Sequence, residues 1–431
     1  MSATPIERVA VLSLHSHRDR SFLDDRILAL VAGDLRAMGV EAELVASVIE
    51  SDASVDALAG ALAGFAAQDL GPTEGARSFD AIVFERVWSR AHVERLRALL
   101  PGKVFVSCEG EHALPDPPAD YVCRGDLRDS VVALFSYLRG EAKGLPRDVL
   151  AREAEGWREG LVRVPSRPRV FSPVLRPRWV GAPGGTTTFS IEGNAGCPYR
   201  TDARDNPLYA GARIPEGLGR GCAFCTTGNH SESAPPDETA DKVLEQLRYV
   251  RAHAPELDRL VLKDQSPFGW LTEVIERCVA EGLRGFTLLL ETRVDWFLKN
   301  ERRFERALAL AEQGDIKIAP FLIGIESFSQ AELDRFNKGT RAEDNERFLE
   351  RFGAWSARYR SFDPTQASFG FVLLTPWTTK EDLRINLEAV ERTGLDARRG
   401  HLLVSRARLY PDTALYYLAE RDGLLEDAPL E

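Results

Sequence analysis

The sequence predicts an α/β protein in two parts: an N-terminal doubly wound parallel sheet of the Rossmann or flavodoxin-like kind, then a C-terminal partial (β/α)6 barrel of the TIM type. Three observations carry this expectation. A chain of 431 residues exceeds one ordinary compact domain. Short apolar runs alternate with amphipathic stretches of about 10–15 residues, the signature of parallel strands joined by crossover helices. A change of texture between residues 141 and 183 separates two such series, which gives domains at 1–140 and 184–431 and a Pro/Arg-rich linker between them.

In the first series, Val9–Ser13, Glu43–Ala46, Asp80–Phe84, Lys103–Ser107 and Asp120–Cys123 read as strands. Asp24–Met38, Val55–Ala67, Ala91–Leu100 and Ser130–Leu138 read as the helices between and after them. Ligands of such sheets lie at the carboxyl ends of the strands. The linker, with VPSRPRVFSPVLRPRW, has too many apolar residues to run free in solvent and reads as a strap over a neighbouring domain. The second series has strands at Thr187–Ile191, Arg259–Leu262, Gly285–Leu290, Ile316–Ile325, Ala367–Leu374 and His401–Val404. Its helices are expected at Asp237–His253, Trp270–Glu281, Glu301–Glu312, Glu332–Phe336, Ala342–Tyr359 and Lys380–Thr393. A barrel built this way carries its active site at the strand carboxyl ends.

Composition narrows the function classes. With 55 basic and 66 acidic residues the net charge is −11, which argues against a broad basic surface for nucleic acid. No apolar run approaches the roughly 18 residues of a membrane helix. The opening MSATPIERVAVLSL reads as a first strand and not as a leader. Six cysteines in this length are too few for a disulfide scaffold, so a reducing, cytoplasmic setting with free thiols is expected.

The chemistry concentrates around the cysteines. Cys222-Ala-Phe-Cys225 follows the turn GLGRG, and Cys197 lies upstream in NAGCPYR. A C-x-x-C pair suits a metal site, such as a zinc knuckle with Cys197 and His230 as further ligands, or a redox dithiol. Cys108, Cys123 and Cys278 fall on strands or an amphipathic helix and read as packing thiols.

GCPYR and CAFC resemble the two halves of the cluster-binding loop of the radical S-adenosylmethionine (SAM) superfamily. There, three cysteines spaced Cys-x3-Cys-x2-Cys hold a [4Fe-4S] cluster and leave one iron open for SAM. Thiolates are the soft ligands such a cluster needs. The resemblance implies Cys197, Cys222 and Cys225 as the ligands. The spacing departs from the family, with 24 residues between Cys197 and Cys222; setting aside 201–221 leaves CPYRCAFC, which has it. The insertion itself, with Tyr209 and Ile214 as anchors and Arg204, Asp205 and Arg213 as polar contacts, reads as a lid or substrate-recognition element, or else a passive surface loop.

Later segments resemble the family's barrel strands in order. LKDQSPF implies Asp264 at the SAM amino group, LLLETRVDWF implies Glu291 and Arg293 facing the cofactor, and IGIESFSQ implies Glu326 and Ser327 at its ribose or carboxylate. Phe224 beside the cysteines, and Leu409 and Tyr410 in SRARLYPDTAL, complete the implied SAM contacts. An ion pair between Glu291 and Arg293, two apart on one strand face, is the plainer alternative.

VSCEGEHALPDPPADYVCRGDLRDSV resembles the cobalamin-binding domain that precedes the barrel in one subclass. That implies Glu109, Gly110, Arg124, Gly125 and Asp126 around a corrin, with His15 or His17 near its cobalt. Two adjacent glycines are usual where Glu109-Gly110 stands, and the Asp-x-His-x-x-Gly signature is replaced by LHSHR. The alternative is a sheet domain that carries no corrin and serves as a scaffold. The resemblance as a whole implies a [4Fe-4S] cluster, SAM and cobalamin as cofactors, and methyl transfer to an unactivated carbon of a small-molecule or peptide substrate. It also implies an electron donor such as a flavodoxin or ferredoxin. The other readings are a cobalamin-free radical SAM enzyme and a zinc-stabilised binding protein.

Overall fold

The structure, a computed structural model, describes residues 6–15, 22–23, 26–49, 51–64, 78–85, 89–109, 116–164, 170–180, 188–229, 231–232, 234–395 and 405–425. The chain divides into two compact units, residues 1–189 with 249–257, and residues 190–248 with 258–431.

The first unit opens with β1 (Arg8–His15), α1 (Arg26–Ala37), β2 (Glu41–Val48), α2 (Asp52–Leu62), β3 (Ala81–Phe84) and α3 (Arg90–Leu99). It continues through β4 (Val104–Cys108), β5 (Tyr121–Cys123) and α4 (Leu127–Leu138). These strands are buried on both faces, as helix-covered parallel strands must be, and they carry continuous Val, Ile, Leu and Ala runs. Helices α1 and α4 pack on each other, as do α2 and α3. The helix starts are sealed locally: Ser89 Oγ accepts from the N–H of His92, and Asp126 Oδ1 accepts from those of Arg128 and Asp129.

The sheet runs β7-β6-β5-β4-β3-β1-β2-β8. Its parallel core therefore has the order 2-1-3-4-5 of the flavodoxin-like class, with the winding reversed between β1 and β3. The sheet is mixed and not wholly parallel, which corrects the sequence expectation. The segment read as a linker supplies β6 (Val149–Glu153) and β7 (Gly156–Glu159), a tight hairpin laid antiparallel on β5, and β8 (Arg178–Val180), parallel on β2 at the far edge. Between them the chain is strapped over α1: Val174 N–H donates to Ala29 O, and a Cβ at Gly33 would fall 1.9 Å from the carbonyl oxygen of Ser172.

The second unit takes in most of β9 (Thr188–Glu192) and of α5 (Pro236–His253), then β10 (Arg259–Lys263), α6 (Leu271–Glu281), β11 (Phe286–Arg293), α7 (Val294–Lys299) and α8 (Glu301–Ala311). Then come β12 (Ile316–Glu326), α9 (Gln330–Arg335), α10 (Ala342–Arg358), β13 (Ser368–Phe371), α11 (Lys380–Thr393) and α12 (Ala414–Arg421). The strand order is β13-β12-β11-β10-β9, with β10 to β13 paired parallel and the two-residue strand Phe22–Leu23 parallel on Thr188 and Phe189 of β9. Phe268, Phe297, Phe304, Phe348, Phe352, Trp355 and Phe362 interlock edge to face behind this sheet. The expected sixth strand, His401–Val404, lies outside the described residues. The chain just after it, Ser405–Ala407, does run parallel beside Leu373 and Leu374, where Ala407 N–H donates to Leu374 O at 2.8 Å. Among the described residues the sheet is thus these five strands, the two-residue strand Phe22–Leu23 and this bridge.

Candidate functional site

The cysteine loop leaves the carboxyl end of β9 and is closed at its base by a two-residue antiparallel ladder, Ala195 with Glu232 and Gly196 with Ser231. Within it, Cys197 N–H donates to Thr227 O. The C-x-x-C segment is a tight turn, with Cys225 N–H donating to Cys222 O at 3.0 Å. That turn is held from both sides: Ala223 N–H donates to Phe336 O, and Leu415 N–H donates to Ala223 O. Cys225 Sγ lies 3.2 Å from Thr227 Oγ1. Gly221, at φ +87°, makes the approach possible, since a Cβ there would meet the carbonyl oxygen of Tyr199 at 2.9 Å.

The insertion is a closed side loop. Its neck is pinched where Gly221 N–H donates to Thr201 O at 3.0 Å and Asp202 bridges to Arg220. Tyr209 and Ile214 anchor it as expected, buried with Ala203 against Ala414, Leu415 and Leu418 of α12. Arg204 is spent inside the loop, on Asp202 and the carbonyls of Ile214 and Pro215, while Asp205 and Arg213 are exposed.

Charged side chains from neighbouring strands surround the second cysteine. The guanidinium of Arg293, at the end of β11, donates to Cys222 Sγ at 3.2 Å, to Lys338 O at 2.6 Å and to Asp295 Oδ1 at 2.9 Å. It also lies over the Tyr199 ring, 3.9 Å from the centroid. Lys338 and Glu326 form a buried pair at 3.0 Å. Glu326 itself sits at φ +64°, beside Gly324, where a Cβ would collide with both partners of that pair. Burial pushes the Cys197 and Cys222 thiols up; Cys197 also feels Cys222 and Cys225, and Cys222 feels Cys225. The three thiols are thus electrostatic neighbours. Among the described residues no three His, Cys, Asp or Glu side chains converge as they would round a single metal ion; His230 lies outside those residues.

The other residues singled out from the sequence divide clearly. Glu291 and Arg293 do not pair; Glu291 accepts from Lys263 Nζ across the strand pairing at 2.8 Å. Asp264 is buried and already holds three donors, the N–H groups of Asn194 and Ser266 and the indole of Trp270. Burial raises its carboxyl above the ordinary value. A cavity of about 310 Å³ opens beside it, lined by Asn194, Pro198, Ser231, Ser266, Trp270 and Arg303 among others. Ser327 is fully buried and donates to Asn386 Oδ1, which also receives the N–H of Phe328. Phe224 stacks edge-on against Phe336, 5.4 Å between centroids, and packs with Leu409 in the cluster around α12. Tyr410 is exposed, and its carbonyl oxygen accepts from Thr413. Asn337, Lys338, Lys263 and Tyr199 were given no role from the sequence. An Asn-Lys-Gly run after a short helix is a signal for an αL turn, and Asn337 does take φ +49°.

In the first unit, His15, Glu109 and Arg124 stand at carboxyl ends of β1, β4 and β5. The side chain of His15, and all of His17 and Gly110, lie outside the described residues. Arg124 Nε is 3.3 Å from Glu109, Gly125 turns at φ +65°, and the Asp126 carboxylate caps α4. Cys108 and Cys123 sit side by side in register and are wholly buried, as is Cys278 in α6. Burial pushes the thiols of Cys123 and Cys278 up to about 12 and that of Cys108 well above its ordinary value.

No family model and no curated protein matches this sequence. Solved structures do. The chain is similar to the cobalamin-dependent S-adenosylmethionine radical enzyme OxsB with aqua-cobalamin bound, at a TM-score of 0.56 and 14% identity over 98% of this chain and 56% of that one. The same enzyme with aqua-cobalamin and S-adenosylmethionine bound gives 0.57 and 14% over 98% and 55%, and its apo form gives 0.53 and 13% over 96% and 55%. The likeness is one of fold. It extends through both units, and this chain spans just over half the length of OxsB.

Proposed function

We propose that this protein is a radical SAM enzyme whose cluster is held by Cys197, Cys222 and Cys225. The observation that supports this most is the pinched neck at Thr201 and Gly221, which lets the chain pass from Arg200 to Cys222 as though the insertion were absent. The donor set fits the cluster. Three thiols share one neighbourhood at the strand carboxyl ends; positive charge from Arg293 and Lys338 favours the thiolate form of Cys222, and Arg293 that of Cys197. A four-iron cluster takes each thiolate on a different iron, so its ligands stand wider apart than those round one ion. When bound, such a cluster supplies the electron that cleaves SAM.

The chain's own part is placement. Arg293 fixes the second cysteine against the Lys338 carbonyl and the Tyr199 ring, and Phe224 of the C-x-x-C turn packs edge-on against Phe336. Asp264, with its carboxylate already engaged by three donors, serves to hold the loop after β9 to the end of β10. Glu291 with Lys263 and Glu326 with Lys338 offer opposite charges for an amino acid moiety.

For the first unit, the 2-1-3-4-5 order supports a corrin-binding role and, with it, methyl transfer to an unactivated carbon of a small-molecule or peptide substrate. OxsB, with a fold like that of this chain, binds aqua-cobalamin. A second reading, a domain without corrin, is favoured by Arg124 being paired with Glu109 and Asp126 being used as a helix cap. The test is anaerobic reconstitution with iron, sulfide and hydroxocobalamin, followed by gel filtration and incubation with SAM and a reductant. The proposal expects retained corrin absorbance and release of 5′-deoxyadenosine. Release without corrin selects the second reading, and no release overturns the radical SAM assignment.

A further inference from the structure

Residues 201–221 interrupt a cysteine loop whose two halves must still meet, and one side chain spans the interruption. Asn337 donates from Nδ2 to the carbonyl oxygens of Thr201 at 3.0 Å and Gly221 at 2.9 Å. A primary amide has two N–H donors, so both are spent on the two ends of one loop. The rest of Asn337 is equally committed. Its carbonyl oxygen accepts from the hydroxyl of Tyr199, two residues after Cys197, at 2.9 Å, and its Oδ1 accepts from Asn206 within the insertion at 3.3 Å. The residue is buried and sits in the left-handed region, where Asn is tolerated and most residues are strained. Through its side chain and its main-chain carbonyl, this one residue joins the stretch before the insertion, the insertion itself and the residue preceding Cys222.

We infer that Asn337 is a positioning residue that restores the short cysteine spacing across the insertion, a role that rests on the proposed three-cysteine set. An unclamped loop of this length would leave Cys222 free to wander from Cys197, because long loops cost little entropy to open or close. With the neck tied, the insertion hangs outside the ligand geometry and is carried by α12, where Arg421 donates to the carbonyls of Leu208 and Ala210.

The test uses Asn337→Gly, which removes both donors at a φ glycine adopts freely, and Asn337→Asp, which keeps the shape but turns oxygens toward two carbonyls. Each is made in the full chain and in a chain lacking residues 201–221. The first readout needs no cluster: the rate at which dibromobimane cross-links Cys197 to Cys222 or Cys225 in iron-free protein, mapped by peptide mass. The second is iron retained after anaerobic reconstitution. In the full chain both variants should cross-link about five- to thirtyfold more slowly, as loss of two hydrogen bonds implies, and retain less iron. In the deleted chain neither substitution should change the rate. Unchanged cross-linking in the full chain overturns the inference, and so does an equal loss, or unfolding, in both chains, since Asn337 would then act on the fold and not on the neck. If the unsubstituted chain takes up no iron, the cluster reading fails while the cross-linking contrast still decides the role of Asn337.

Discussion

Arg293 Nη1 donates to Cys222 Sγ at 3.2 Å, and the same guanidinium reaches Asp295 and the carbonyl of Lys338. Three partners on three segments make this arginine the link between β11, the cysteine loop and the turn after α9. Arg293→Ala leaves the largely buried Asp295 with Lys299 as its cation among the described residues and should cost about 3 kcal/mol in urea unfolding. Arg293→Lys should recover only part of that, since an ammonium cannot reproduce the planar fork. Equal stability of all three proteins would contradict the linking role.

Lys338 and Glu326 form a pair with both side chains almost wholly buried. Lys338→Met strands a carboxylate and should destabilise by about 3 kcal/mol, whereas Lys338→Met with Glu326→Gln should recover most of it. A double-mutant cycle by urea unfolding measures the coupling, and additivity of the two single changes would mean the pair contributes nothing.

Burial raises the carboxyl of Asp264 above its ordinary 3.8, so the folded state keeps this proton to a higher pH than the unfolded chain does. The stability this group contributes is therefore present below 3.8 and falls as pH rises through the raised folded value. In Asp264→Asn that component disappears. The difference in urea midpoint between wild type and variant should change with pH just above 3.8 and level off at neutrality. A constant difference across that range would show that Asp264 titrates normally.

Three cysteines are buried and three are partly accessible. In iron-free native protein a small thiol reagent should label Cys197, Cys222 and Cys225 within minutes and reach Cys108, Cys123 and Cys278 only on unfolding. Rapid native labelling of Cys108 or Cys123 would mean the first sheet opens far more readily than its packing implies.

Much of the fold was legible because helix-covered parallel strands announce themselves as apolar runs; β3, with AIVF buried throughout, is the plainest case. The hairpin of β6 and β7 was not. AREAEGWRE lies on an exposed edge, where one-sided burial imposes little pattern, so it read as linker. The site was legible to the same degree. The C-x-x-C pair stood out by its pattern and Arg293 by resemblance, while the alternative of a Glu291–Arg293 pair is one the sheet prevents, because the register of β10 on β11 brings Lys263 to Glu291 instead. Ser327 read by resemblance as a contact to the SAM ribose or carboxylate; its hydroxyl donates to Asn386, 59 positions later. Asn337 was invisible for the same reason: its partners lie 116 and 136 positions away, and no local pattern encodes a contact that only the folded chain creates.

The central claim is that Cys197, Cys222 and Cys225 hold one cluster with an iron open to SAM. Electron paramagnetic resonance of the anaerobically reconstituted, dithionite-reduced protein, recorded with and without SAM and paired with metal analysis, tests it most directly. The account predicts about four irons per chain, a [4Fe-4S]+ signal that changes shape when SAM is added, and loss of both in Cys197→Ala. A colourless protein with about one zinc per chain, or a cluster signal that Cys197→Ala leaves intact, would contradict it.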